Sequence, residues 1–225
     1  MQKKRVVVTG LGVVSCYGLD VENFFSKLLA GESGIRPIEK FDTTDYSTKF
    51  AGAVADFDTD PYVDKKMVGR CDPFIAFGLV GGKRALEHAG IALDKVDSLD
   101  RSRCGVIMGS GMGGMQLFLE QARVYDSKGM RRVSPFFIPY TITNMAAGIL
   151  AMDLGFMGPN FSISTACATA NHSISAAVDA IRLGRADLMI CGGVEAAINE
   201  IGVAGFCVIK ALSTRNEAPT EASRP

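Results

Sequence analysis

At 225 residues, with 48% hydrophobic and 21% charged side chains, the chain has the composition of a globular protein with a sizeable core. Lysine plus arginine and aspartate plus glutamate number 24 each, which excludes a general basic field for nucleic acid, so any recognition by charge must be local. Asp153 interrupts the longest apolar stretch, 145–157, before it reaches the roughly 18 residues of a membrane span. The six cysteines show no C-x-x-C or zinc spacing and read as reduced thiols.

Along the chain, Val6–Val8 reads as a strand ending in Thr9-Gly10, with no signal-cleavage pattern before it. A cytoplasmic protein is expected, or a plastid-stromal one whose transit peptide is absent. Helical stripes follow at Phe24, Leu28 and Leu29, then at Phe74, Phe77 and Leu86. Cys104–Met108, Phe161–Ser164 and Leu188–Cys191 are short β-branched or apolar runs, and Ile174, Ala177, Val178 and Ile181 form a further helical stripe. Strands alternating with helices predict an α/β protein with a mainly parallel or mixed sheet under helices. From Ser213 the chain is polar and turn-rich, as in a connection to a further element.

Gly109-Ser110-Gly111-Met112-Gly113-Gly114 fits G-x-G-x-x-G between a strand and a helical segment, the setting of a dinucleotide fingerprint. That fingerprint calls for an acid about 20 residues on, at a strand end. Asp126 has the spacing, but its surroundings are not strand-like. The alternative is a tight turn that packs closely.

Cys167 falls between the strand near Phe161–Ser164 and the helix that Gly184 is placed to stop, with Ser164 or Thr165 available as a cap. A thiol at a helix N-terminus meets unpaired N–H groups and the positive end of the dipole, which favour thiolate and can hold an oxyanion. The dipole contributes only about 0.3–1 kcal/mol, so fast chemistry needs a further base or cation. Of the two histidines, His172 is about 140° around the helix from Cys167 and His88 belongs to another segment.

Arg5–Ser15, Gly109–Gly114, Ser134–Pro139, Gly158–Ala168 and Ala211–Asn216 together resemble the β-ketoacyl-acyl-carrier-protein synthases of the elongating type, most closely synthase II. The resemblance implies a thiolase-like fold, with residues 1–225 as the N-terminal half of a layered αβαβα architecture and a homodimer at full length. It implies a 3-oxoacyl-acyl-carrier-protein synthase that loads an acyl chain onto Cys167 and condenses it with decarboxylating malonyl carrier protein, with no metal or redox cofactor. Met112, Phe137 and Phe206 match residues lining or meeting the acyl tunnel. Lys65, Lys66, Arg70, Arg131, Arg132 and Lys210 match basic positions facing the carrier protein, although relatives often have arginine at the last. The family's two catalytic histidines and its lysine fall beyond residue 225, which implies an inactive fragment. A polyketide ketosynthase is the nearest alternative. A chain-length-factor-like subunit is disfavoured by the presence of Cys167.

Overall fold

The computed structural model describes residues 4–54 and 59–223. In chain order its principal elements are α1 (Val21–Leu29), β1 (Arg36–Pro37), β2 (Phe50–Ala51), α2 (Lys65–Val68), α3 (Pro73–His88), β3 (Cys104–Gly109) and α4 (Met115–Lys128). These are followed by α5 (Phe137–Thr141), α6 (Met145–Leu154), β4 (Asn160–Phe161), α7 (Thr169–Arg182), β5 (Leu188–Gly193) and α8 (Glu200–Val208). They form two compact units, one comprising the chain to Gly12 together with Thr59–Ala196, the other Val13–Asp58 together with Ala197–Pro225.

The first unit is built on a parallel sheet in the order β4-β3-β5. β3 pairs with β5 over six positions, from Cys104↔Leu188 to Gly109↔Gly193, and with β4 at Val106↔Asn160 and Ile107↔Phe161. All six β3 residues are buried, which explains why the strand reads as an unbroken apolar run rather than an alternating one. On one face α3 and α6 meet Met108 and Ile190; on the other, α7 lies against Gly109 and Gly193. α6 is apolar on nearly every side and ends at Gly155, in the left-handed conformation at φ +65°. Its one acid, Asp153, pairs with Lys83 at 2.9 Å. No described helix is long and apolar enough to cross a membrane.

Several expectations change. Val6–Val8 forms no ladder among the described residues, and Val7 and Val8 are exposed. The segment after it is instead held on α3: a Cβ on Gly10 would stand 2.1 Å from the Ala85 carbonyl, and Leu11 N–H donates to His88 Nδ1 at 3.0 Å. α3 is buried on more than a stripe, with Ile75, Leu79 and Val80 as inaccessible as Phe74. In α7 the buried residues are Thr169, Ser173, Ala177 and Ala180, while Ile174 is exposed. Small side chains face the sheet because the helix approaches it closely; a Cβ on Gly193 would be 3.1 Å from Ala170 Cα.

Asp72 caps α3 from a buried position. One carboxylate oxygen accepts from Phe74 N–H at 3.2 Å and the other from Leu117 N–H in the first turn of α4 at 2.9 Å. Burial pushes its carboxyl up more than these donors pull it down, and Glu120 adds to the rise. Asp72→Ala should cost about 2–3 kcal/mol in denaturant unfolding, because two helix-terminal donors lose their acceptor. The folded state holds the proton to higher pH than the unfolded chain. Stability from this group is therefore complete below the ordinary value near 3.9 and falls as pH rises through the folded value. Compared between about pH 4 and about pH 7, wild type should lose stability relative to Asp72→Asn.

In the second unit β1 and β2 form a short antiparallel pair, with Arg36 opposite Ala51. The stretch from Ser213 is docked on this unit rather than trailing: Thr48 Oγ1 donates to Ser213 O at 2.8 Å, Lys49 N–H to Asn216 Oδ1 at 2.9 Å, and Asn216 Nδ2 to Ser47 O at 3.0 Å. The expected core stripe of α1 is not buried within this unit. Leu28 and Leu29 are exposed, and Phe24 meets Tyr17 edge-on at 5.9 Å.

Candidate functional site

β3 and β5 end level with each other, so the loops leaving their C-terminal ends lie side by side, where parallel α/β sheets hold their sites. Val194 N–H continues the ladder to Gly109 O at 2.9 Å, which sets Glu195 beside the glycine loop. Its two carboxylate oxygens accept from Ser110 Oγ at 3.0 Å, Gly111 N–H at 2.8 Å and Met112 N–H at 3.2 Å. Ser110 Oγ in turn accepts from Gly113 N–H at 2.8 Å. The N–H groups that a dinucleotide phosphate would need are therefore engaged by the chain's own carboxylate. Asp126 sits within α4, not at a strand end, and the dinucleotide reading is set aside.

The loop packs on the turn that carries Cys167. β4 covers Asn160 and Phe161, so of the expected strand Phe161–Ser164 only Phe161 is paired, and the chain leaves the sheet after it. A Cβ on Gly109 would lie 2.1 Å from the Ile163 carbonyl and 2.4 Å from Thr169 Cγ2, and one on Gly111 would lie 3.5 Å from Ala166 Cα. Ala166, Cys167 and Ala168 form a single 3-10 turn leading into α7. Ala166 has φ +51°, a conformation costing a non-glycine residue about 1–2 kcal/mol. This strained turn carries the thiol at the head of a fourteen-residue helix, where Cys167 is exposed.

Neither Ser164 nor Thr165 caps α7. Thr169 Oγ1 accepts from Thr165 N–H at 2.9 Å, and Thr165 Oγ1 lies 2.7 Å from His172 Nδ1. Gly184 terminates the helix at φ +73°. Among the described residues no side chain hydrogen-bonds the Cys167 sulfur. His172 is engaged by Thr165, and His88, the last residue of α3, accepts from Leu11.

The other thiols differ. Burial, then the charge of Asp72, pushes Cys71 up to about 11, and burial raises Cys104 and Cys191. For Cys207 burial also works upward, but hydrogen bonds from Ser47 and Thr48 outweigh it and the thiol is lowered.

Met112 is exposed on the glycine loop. Phe137 opens α5, half-buried against Phe118 of α4 at 5.6 Å, and the far end of α5 abuts the same loop, with Gly114 N–H donating to Thr141 O at 2.8 Å. Cys167, Met112 and Glu195 thus belong to one cluster, with the helix of Phe137 against it. Arg70 stacks over Phe136 at 5.2 Å, which ties the segment after α2 to the one that follows Arg131 and Arg132. Lys65 pairs with Asp60 at 3.5 Å; Lys66, Arg131 and Arg132 are exposed and form no ion pair among the described residues.

Phe206 and Lys210 belong to the second unit. Phe206 lines an apolar cavity of about 280 Å³ there with Ile35, Phe50, Val203 and Leu212. Lys210 has φ +56° and closes α8, its N–H donating to Cys207 O and the next N–H to Phe206 O.

Sequence reasoning missed Glu195. The available signal was the pair of strands each ending in glycine, since parallel pairing of Gly109 with Gly193 brings the residue two after the second alongside the loop after the first.

The chain matches the β-ketoacyl synthase N-terminal domain family over residues 3–225. It is 51% identical over 223 residues to 3-oxoacyl-(acyl-carrier-protein) synthase I, chloroplastic, of Arabidopsis thaliana, covering 99% of this chain and 47% of that protein. It is 49% identical to 3-oxoacyl-(acyl-carrier-protein) synthase 2 of Vibrio cholerae, covering 100% and 54%. Among solved structures, a β-ketoacyl synthase from Burkholderia phymatum superposes with a TM-score of 0.87 at 27% identity, over 99% of this chain and 54% of that one. A type II PKS ketosynthase in complex with its acyl-carrier protein superposes at 0.77 with 25% identity, over 91% and 54%. The chain spans about half the length of the relatives it matches. The α/β fold is thiolase-like, and the chain belongs to the β-ketoacyl synthase family, whose N-terminal domain it matches.

Proposed function

We propose that the protein containing residues 1–225, read as one N-terminal β-ketoacyl-synthase domain, is a 3-oxoacyl-acyl-carrier-protein synthase of fatty-acid elongation, and that Cys167 is its nucleophile. The carrying observation is an exposed thiol on a strained turn at the head of α7, packed against a glycine loop. Attack of the thiolate on an acyl carrier thioester forms the Cys167 thioester and releases the carrier thiol. Malonyl carrier protein then loses carbon dioxide; its carbanion attacks the bound acyl carbonyl, and expulsion of the Cys167 thiolate yields a β-ketoacyl chain two carbons longer. N–H groups at the turn are suited to hold the oxyanion. Neither histidine of this sequence is bonded to Cys167: His88 accepts from Leu11 and His172 meets Thr165. Met112, Phe137 and Phe206 meet the acyl chain, Phe137 across a homodimer. The setting is cytoplasmic or plastid-stromal, as the bacterial and chloroplastic relatives suggest.

Incubating the full-length protein with acyl and malonyl carrier thioesters tests this reading. The expected product is the β-ketoacyl thioester two carbons longer, and a folded protein that makes none contradicts it. The structural neighbour of the polyketide class favours a second reading, a polyketide-type ketosynthase. The fatty-acid reading predicts use of saturated acyl chains, the polyketide one a preference for poly-β-keto chains.

The carrier protein is acidic in this reading and docks on Lys65, Lys66 and Arg70, with Arg131, Arg132 and Lys210 contributing. Reversing Lys65, Lys66 and Arg70 to glutamate should raise KM for carrier-bound substrates about tenfold or more at low salt, since like charges across an interface cost several kcal/mol. Small pantetheine thioesters should be used as before. Equal losses on both would trace to folding.

A further inference from the structure

The geometry points to Glu195 as a positioning residue: we infer that its carboxylate pins the glycine loop, and Met112 with it, in the shape that aligns an acyl thioester on Cys167. The inference rests on the synthase reading above and adds a residue to it.

Both oxygens are used. One accepts a hydrogen bond from the Ser110 hydroxyl; the other accepts from the N–H groups of Gly111 and Met112. Consecutive N–H groups converging on one oxygen form an anion nest. Ser110 is buried and passes the constraint on, because its oxygen also accepts from Gly113 N–H. Four consecutive loop residues, Ser110 to Gly113, are thereby ordered by one side chain.

The same loop touches the nucleophile's turn: Gly111 O accepts from Ser164 Oγ at 3.4 Å, and a Cβ on Gly111 would meet both Glu195 Oε2 at 3.0 Å and Ala166 Cα at 3.5 Å. Gly111 is therefore sandwiched between the carboxylate and the strained residue preceding Cys167. Glu195 is exposed and lies after β5, so it is not needed to build the sheet. Its hydrogen bonds go to the loop.

Glutamine can keep one acceptor for the Gly111 and Met112 N–H groups while its amide NH2 faces Ser110. The Ser110 oxygen would then accept twice, and its own proton would lose its acceptor. Alanine leaves the loop donors without a partner.

The test uses the full-length protein, wild type and the Glu195→Ala, Glu195→Gln, Ser110→Ala and Glu195→Ala/Ser110→Ala variants. Two rates at Cys167 are followed by mass spectrometry: transfer from acyl thioesters of several chain lengths, and alkylation by iodoacetamide, which needs an exposed sulfur but no aligned acyl chain. Glu195→Ala should slow acyl transfer on the order of 100-fold, the cost of misplacing the reacting groups by about 1 Å, with a changed order of preference among chain lengths. Glu195→Gln should recover most of the rate. Alkylation should stay within about threefold of wild type, and the double variant should be no worse than Glu195→Ala, because the two side chains act as one unit. Acyl transfer and alkylation falling together, or a Glu195→Ala variant matching wild type at every chain length, would overturn the inference and leave the synthase reading intact. A wild type that is alkylated at Cys167 yet never acylated would overturn the synthase reading, and this inference with it.

Discussion

Replacing Cys167 by alanine is expected to lower acyl transfer and elongation by the full-length protein by on the order of 10^4- to 10^6-fold, as loss of a covalent nucleophile does in other enzymes. The size follows from the absence of a substitute. Cys104 is buried on β3, and Cys71, pushed up to about 11, holds its proton at neutral pH. Cys191 is raised by burial as well. Cys207 is lowered, but it belongs to α8 in the second unit, whereas the glycine loop and the strained turn surround Cys167. Serine should restore little, because a hydroxyl ionises far less readily than a thiol and no side chain among the described residues bonds Cys167 as a base. Rates are to be read by product formation from carrier thioesters, with circular dichroism verifying the fold of each variant.

Gly109→Ala should cost about 3 kcal/mol in denaturant unfolding, at the upper end of overpacking costs. The added methyl would meet the Ile163 carbonyl at 2.1 Å and Thr169 Cγ2 at 2.4 Å. The first of these is backbone, so relief requires moving the segment that leads into Cys167, and acyl transfer should fall with stability. Gly192, on the neighbouring strand opposite Met108, is the control: a Cβ there meets nothing within 4 Å, so Gly192→Ala should change stability by less than about 1 kcal/mol. If the two variants cost the same, close packing of the loop on the turn is not what this position requires.

The parts of the fold that were legible are those in which local pattern and burial agree. β3 and β5 read as strands because parallel strands covered by helices are apolar throughout, and Gly184 read as a helix stop because a left-handed residue is needed there. Cys167 could be located just before a helix because the helical pattern after it was clear, although only Phe161 of the expected strand Phe161–Ser164 is paired. Periodicity failed where the neighbour, not the residue, decides the outcome. The α1 stripe looked like core, but of its residues only Phe24 is half-buried, against Tyr17, while Leu28 and Leu29 are exposed. The large apolar residues of α7 suggested its buried face, yet close approach to glycine-ended strands selects Thr169, Ser173, Ala177 and Ala180 instead. Val6–Val8 has strand propensity without a ladder among the described residues. The division into two units was invisible because each combines segments distant in sequence, as Asn216 docking on Ser47 and Lys49 illustrates. Glu195 was missed for the same reason, since its partners lie about 85 residues earlier and only the β3–β5 register brings them together.

The central claim, that Cys167 carries the acyl chain, is tested most directly by incubating the full-length protein with an acyl carrier thioester, measuring its intact mass and mapping the modified peptide. One acyl adduct per chain on Cys167, absent from Cys167→Ala, is the predicted result. An adduct on Cys207 or any other cysteine, or one that persists in Cys167→Ala, would contradict it.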